Sequence, residues 1–189
     1  MQHRNNYLPL LCLTLLLSVG GCAEQQSVRV SQKSTTDTAH VLGSNGLDGD
    51  EEQAILSYHN QIRASVGVPP LHWSKELAQH AANWGAKLAA QGCAMQHSQD
   101  SSYGENLFIS SASQDHEAVI EAAKAWESEK INYSGEPLNK ANWSQSGHYT
   151  QMVWRDTAQL GCAKVACNSG VVVVCNYDPA GNFIGKKPY

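Results

Sequence analysis

Histidine is the side chain best suited to proton transfer or metal binding near neutral pH, and the chain has eight of them. His148 has the most telling setting. It lies in Gly147-His148-Tyr149-Thr150-Gln151-Met152-Val153-Trp154, where residues 150–154 are β-prone. Alternation along an extended chain would put His148, Thr150, Met152 and Trp154 on one side. His148 is therefore expected at the start of a strand. Some twenty residues on, Cys175-Asn176-Tyr177-Asp178-Pro179-Ala180-Gly181-Asn182 closes a β-branched run, and Asp178, Pro179 and Gly181 suit the first, second and fourth positions of a type I turn. Four other histidines read as packed or solvated side chains. His59, His72 and His80 sit on or beside expected helices, where packing or exposure accounts for them, and His116 sits in solvent near a helix start. Ser98 follows His97 directly, but chain neighbours seldom face each other. The sequence has no Gly-x-Ser-x-Gly elbow, Gly-rich phosphate loop, zinc-type cysteine cluster or Cys-His nucleophile motif.

The elements that must position these residues follow from periodicity. Residues 51–64 carry Ile55, Tyr58, His59 and Ile62 at helical spacing, with Asp50 as N-cap and acidic residues in the first turn. Ser74 caps a second helix that reaches about Ala90, its apolar stripe made of Leu77, Ala78, Ala81, Trp84 and Leu88, with Gly92 closing it. A third helix is expected from Gln114 to Lys130, turning Val119, Ala122, Ala123 and Trp126 inward. Residues 105–109 and two C-terminal strands, joined by a turn at Asn168-Ser169-Gly170, make a small antiparallel sheet. Helices before and between strands, without regular alternation, specify an α+β fold. Trp84, Trp126 and Trp154 read as core aromatics.

Length and charge bound the rest. The 189 residues suffice for one sizeable core, and 13 Lys and Arg against 17 Asp and Glu, with no basic cluster, give no footprint for nucleic acid. Residues 1–21 read as an export signal: His3 and Arg4, an apolar run over residues 8–19, then Gly20-Gly21, too short to span a bilayer. Val19-Gly20-Gly21-Cys22 resembles a bacterial lipobox, which would make Cys22 the acylated first residue of the mature chain and attach it to a membrane. The alternative is ordinary signal cleavage that leaves Cys22 an incidental thiol. Residues 22–50, rich in Gln, Ser, Thr, Asp and Gly, read as a flexible tether, and residues 51–189 as the folded domain.

Cys93, Cys162, Cys167 and Cys175 remain for an exported domain, so two disulfides are expected. Cys162 and Cys167 lie about 16 Å apart on one strand, and Cys167 sits roughly 13 Å from Cys175 across the hairpin. Both separations exceed the ~7 Å Cα limit for a bridge. Only Cys162–Cys175 with Cys93–Cys167 survives.

The two C-terminal segments resemble the paired signatures of the CAP superfamily, the cysteine-rich secretory, antigen 5 and pathogenesis-related class 1 proteins. Residues 148–189, including Leu160-Gly161-Cys162-Ala163-Lys164-Val165 and Lys187-Pro188-Tyr189, are most similar to the plant pathogenesis-related branch. Pro70-Leu71-His72-Trp73, His97-Ser98, Gly104-Glu105-Asn106-Leu107, and Trp126 with Glu129 extend the similarity. The resemblance implies an α-β-α sandwich, the same disulfide pairing, and a cleft tetrad of His97, Glu105, Glu129 and His148. Plant relatives have a further close cysteine pair just before Gly147-His148-Tyr149; here Asn142, Trp143 and Ser146 stand in that region, so the loop over residues 134–146 is expected to be more mobile. Two imidazoles and two carboxylates can hold a divalent ion, zinc above all, or serve as general acid and base without one. A binding module for a lipid, sterol or surface partner is the first reading that the resemblance implies. A metal-dependent hydrolase, with Glu105 or Glu129 as base, is the second, and a purely structural tetrad the third.

Overall fold

The computed structural model describes residues 42–100, 102–111, 117–168 and 170–189. The expected export signal, Cys22, His116 and the Gln114 helix start lie outside the described residues. Within them the elements run α1 (Gly49–Ser65), β1 (His72–Trp73), α2 (Lys75–Ala90), β2 (Gly104–Ser110), α3 (Ala118–Ser128), a 3-10 turn (Glu129–Asn132), α4 (Lys140–Met152), β3 (Gln159–Cys167) and β4 (Gly170–Asp178). The sheet order is β1-β3-β4-β2. β4 pairs antiparallel with both neighbours, while β1 pairs parallel with Gln159 and Leu160, which makes the sheet mixed rather than wholly antiparallel.

The sheet separates two cores, and the parity of β4 explains both. Val172 and Val174 pack beneath α2 with Ala81, Ala82, Leu88, Leu107 and Ala163. Val171, Val173, Cys175 and Tyr177 face the other way, onto α1, α3 and α4, with Ile55, Val119, Trp126 and Tyr149. Residues 171–177 are buried throughout because helices cover both faces, which is why this strand reads as an uninterrupted apolar run. The result is the three-layer α-β-α sandwich. The disulfides are Cys93–Cys167 and Cys162–Cys175, the latter joining directly opposed residues of β3 and β4.

Helix α2 starts where expected, with the Ser74 hydroxyl accepting from Leu77 N at 3.3 Å. Helix α1 starts two residues earlier than its spacing suggested. Asp48, not Asp50, is its N-cap, in a reciprocal box with Glu51. Helix α3 ends at Ser128, and the chain tightens into the 3-10 turn that begins with Glu129.

The largest correction concerns His148, which lies in α4, not at the start of a strand. Asn139 and Asn142 form a capping box that nucleates α4. Tyr149 and Met152, three apart, then share its buried face, and this tertiary packing overrides the β-propensity of Thr150 and Val153. Thr150 and Met152 are buried while His148 is only partly covered, so the four residues do not line one side. The second half of the expected 134–146 loop is helix.

The domain also begins before residue 51. Asn45 and Leu47 are buried. Lys164 N donates to Asn45 O at 2.9 Å and Asn45 Nδ2 to Cys162 O at 3.1 Å, which extends cover along the β3 edge that β1 protects at Gln159 and Leu160. Gly46 makes this approach possible. Its φ is +75°, and a Cβ there would lie 2.1 Å from Lys164 O. Lys164 also pairs with Glu51 of α1 beneath this segment.

Candidate functional site

Strand β2 lies at the sheet edge, and its alternation distributes the site. Glu105 has the parity of Leu107, which packs under α2, whereas Asn106 has the parity of Phe108, which packs toward α1, α3 and α4. His97, from the loop after α2, meets Glu105 on one side, with Nδ1 to Oε1 at 2.7 Å. The same Oε1 accepts from Ser98 N at 3.0 Å. On the other side His148 meets Glu129, with Nδ1 to Oε1 at 2.6 Å. Glu129 Oε2 also accepts from His148 N at 2.9 Å and Tyr149 N at 3.3 Å, which locks α4 to the 3-10 turn. Trp126 stacks on the His148 ring at 6.2 Å between centroids and donates its indole N–H to Leu107 O at 3.1 Å.

The sequence-predicted tetrad is thus two imidazole–carboxylate dyads that flank the edge strand. His97, Glu105 and His148 line a common cleft of about 290 Å³ with Asn106, Gly147 and Asn182, and Glu129 stands behind His148. Among the described residues no three His, Cys, Asp or Glu side chains are gathered closely enough to hold an ion by themselves. An ionised carboxylate accepts and cannot donate, so the nitrogen facing it, Nδ1, carries the proton in both dyads and Nε2 of the neutral ring keeps its lone pair. This is how a carboxylate prepares histidine for a metal. Glu105 adds a second feature. Its side chain is 7% exposed, and its Oε2 is buried without a hydrogen-bond partner, a state that costs about 1–3 kcal/mol. A cation, or water bound to one, beside Glu105 would satisfy that oxygen. The donor set fits a divalent ion on these grounds.

Asn106 is a site residue that spacing did not single out, although it lies in the Gly104-Glu105-Asn106-Leu107 motif. Its amide donates to His148 O and to the Tyr177 hydroxyl, both at 3.1 Å. Tyr177 donates in turn to His59 Nε2 at 2.9 Å, while His59 Nδ1 faces Ile55 O at 2.8 Å. Burial pushes His59 down to about 4 despite that carbonyl bond, and the nearby Arg63 charge lowers it further. The imidazole is therefore neutral and accepts from Tyr177. His59 is structural, as expected, yet it fixes the orientation of a cleft amide. Asn182, at φ +62°, accepts from Thr150 Oγ1 at 2.7 Å and donates to Gly147 O at 2.8 Å, which holds the segment after β4 against α4 beside His148.

His80 bridges Asn176 Oδ1 and Asp100 Oδ2, each at 3.1 Å, and Asn176 is the cross-strand partner of Glu105. His72 is exposed in β1. Trp143 is exposed at the cleft rim, beside Gly147.

With this geometry in place, residues 56–177 match the CAP family model, described as the Cysteine-rich secretory protein family, and the chain belongs to that family. It is 44% identical to pathogenesis-related protein 1C of Nicotiana tabacum, over 74% of this chain and 82% of that one. Over 72% of this chain and 81% of the relative it is 45% identical to pathogenesis-related protein PRMS of Zea mays. Among solved structures, a crystal structure of NaASP2 with Zn2+ superposes with a TM-score of 0.70 at 31% identity, covering 79% of this chain and 90% of that one.

Proposed function

We propose that the domain is an exported binding module that holds one divalent ion, zinc above all, through His97 Nε2 and His148 Nε2, and presents the cleft beside it to a lipid, sterol or surface partner. The observation that carries this reading is that both imidazoles line one cleft with each Nδ1 committed to a carboxylate. Glu105 and Glu129 orient the rings and hold the tautomer that leaves each Nε2 free to bind. The crystal structure of NaASP2 with Zn2+ is consistent with zinc in a relative. When bound, such an ion would supply a Lewis-acidic centre with open positions for a partner's oxygen or nitrogen.

Binding is favoured over hydrolysis because a catalytic zinc usually has three protein ligands, and no such trio gathers among the described residues. Among the hydrogen bonds of the described residues, neither His97 nor His148 meets a hydroxyl or thiol as nucleophile. Export is supported by the secretory family and the two disulfides. Membrane attachment rests on acylation at Cys22, since no helix among the described residues is long and apolar enough to cross a bilayer. Mass spectrometry of the mature chain tests it: an acylated Cys22 is expected, and an unmodified Cys22 contradicts the anchor.

The ion is tested by titrating zinc into the full chain by calorimetry. One site is expected. His97→Ala or His148→Ala should abolish measurable binding, and Glu129→Gln should weaken it about 10–100-fold. Undiminished zinc affinity in the His97→Ala/His148→Ala double variant would overturn the reading.

A further inference from the structure

The cleft opens into a larger groove of about 640 Å³ whose walls include Tyr103, Trp143, Phe183 and Ile184. Trp143, Phe183 and Ile184 are 46%, 51% and 58% exposed, an apolar surface of the kind that marks a binding site when contiguous. His97, Glu105, Trp143 and Asn182 line both spaces, so the groove leads directly to the dyads.

The charged anchor at its inner end is a carboxylate. Glu105 Oε2 is buried and unpartnered. Both N–H groups of Asn106 are taken by His148 O and the Tyr177 hydroxyl, which leaves Oδ1 as its unused polar atom. In their neutral form His97 and His148 offer only the Nε2 lone pair, because Nδ1 donates to Glu105 or Glu129. Asn182 Oδ1 accepts from Thr150 and one of its N–H groups donates to Gly147 O, which leaves its second N–H as a donor. Further donors along the groove are Lys140 Nζ and the Trp143 indole N–H, both on exposed side chains, and the hydroxyls of Ser98 and Tyr103. Carboxylates along the groove, Asp100 and Glu105, outnumber its one ammonium, Lys140. A carboxylate more than nine-tenths buried, with one oxygen unpartnered, selects a ligand head that donates hydrogen bonds and carries positive charge. The apolar walls select a ligand whose remainder is aliphatic or aromatic.

We propose that this groove binds a primary-amine amphiphile, with its ammonium at the Glu105 carboxylate and its apolar body along Trp143, Tyr103, Phe183 and Ile184. The proposal rests on the binding-module reading but not on the ion, which would compete with the ammonium for the same end of the groove.

Calorimetry on the metal-free full chain with octylamine, octanol and octanoate, each below its aggregation concentration, tests the head group at constant tail. Octylamine should bind at least tenfold more tightly than octanol, and octanoate more weakly still. Across hexyl-, heptyl- and octylamine, affinity should rise two- to fourfold per methylene. Glu105→Gln should remove the amine preference and leave octanol binding within twofold, whereas Trp143→Ala, at an exposed position, should weaken both ligands several-fold. Octanoate binding as tightly as octylamine, or octylamine binding indifferent to both substitutions, would overturn the proposal. Saturating zinc should weaken octylamine at least tenfold. If zinc fails to bind while octylamine binds as described, the metal reading falls and this one stands.

Discussion

His59 links the deepest part of the domain to its cleft. It is 0% exposed and held at about 4 by burial, against about 6.5 in the unfolded chain. The unfolded state therefore binds the extra proton first as pH falls. Neutral His59 contributes its full stability above about 6.5, and that contribution, on the order of 3 kcal/mol, is lost as pH drops toward 4. Urea unfolding at pH 7 and pH 4.5 should show a marked loss for the natural chain and a shallower one for His59→Gln; equal losses would contradict this. At this scale the sequence was legible in residue types: the Glu105 and Asn106 motif, Glu129 and the two cleft histidines all stand in recognisable fragments. The pairing of His97 with Glu105 and of His148 with Glu129 was not legible. It depends on which face of β2 each side chain leaves and on how the 3-10 turn meets α4. The role of Asn106 was hidden for the same reason, since the hydroxyl that orients it belongs to Tyr177 on another strand.

Between elements, Arg63 does the most connecting. It is fully buried at the end of α1, and among the described residues its hydrogen bonds go to carbonyls and not to a carboxylate. Its guanidinium donates instead to Pro69 O at 2.7 Å, Met152 O at 3.0 Å, Trp154 O at 2.8 Å and Thr157 O at 2.9 Å, which joins α1 to the end of α4 and the turn that follows. Burial pushes it down to about 10, so it remains cationic at neutral pH. Arg63→Met would strand these carbonyls at a cost of about 3–5 kcal/mol. Arg63→Lys should recover only part of this, because an ammonium cannot reproduce the planar fork. Chemical denaturation measures both, and a loss under 1 kcal/mol for Arg63→Met would contradict the assignment. Helix α2 was legible to within a residue because its stripe, Ser74 cap and closing Gly92 agree. Helix α4 was missed because Thr150, Val153 and Trp154 favour strands locally, while the signals that make it helical, Asn139 and Asn142, sit among polar residues that read as loop.

For the molecule as a whole, the α+β class was readable from the order of elements and both disulfides from the hairpin register, which left one feasible pairing of four cysteines, while the three-layer sandwich was implied by the family resemblance. The start of the domain was not. Residues 43–48 are polar and aperiodic apart from Leu47, yet Leu47 is 1% exposed and Asn45 covers the β3 edge. A chain beginning at residue 50 should lose about 3–5 kcal/mol relative to one beginning at residue 42, from the buried leucine, the Asp48 cap and the edge hydrogen bonds. Equal unfolding midpoints would show that the segment is dispensable. The central claim concerns the gap between the dyads, and the most direct measurement is diffraction at the zinc absorption edge from crystals of the protein grown with zinc. The account predicts one anomalous peak about 2.0–2.1 Å from both His97 Nε2 and His148 Nε2, with Glu129 still on His148 Nδ1. Zinc bound elsewhere, or at only one of the two imidazoles, would contradict it.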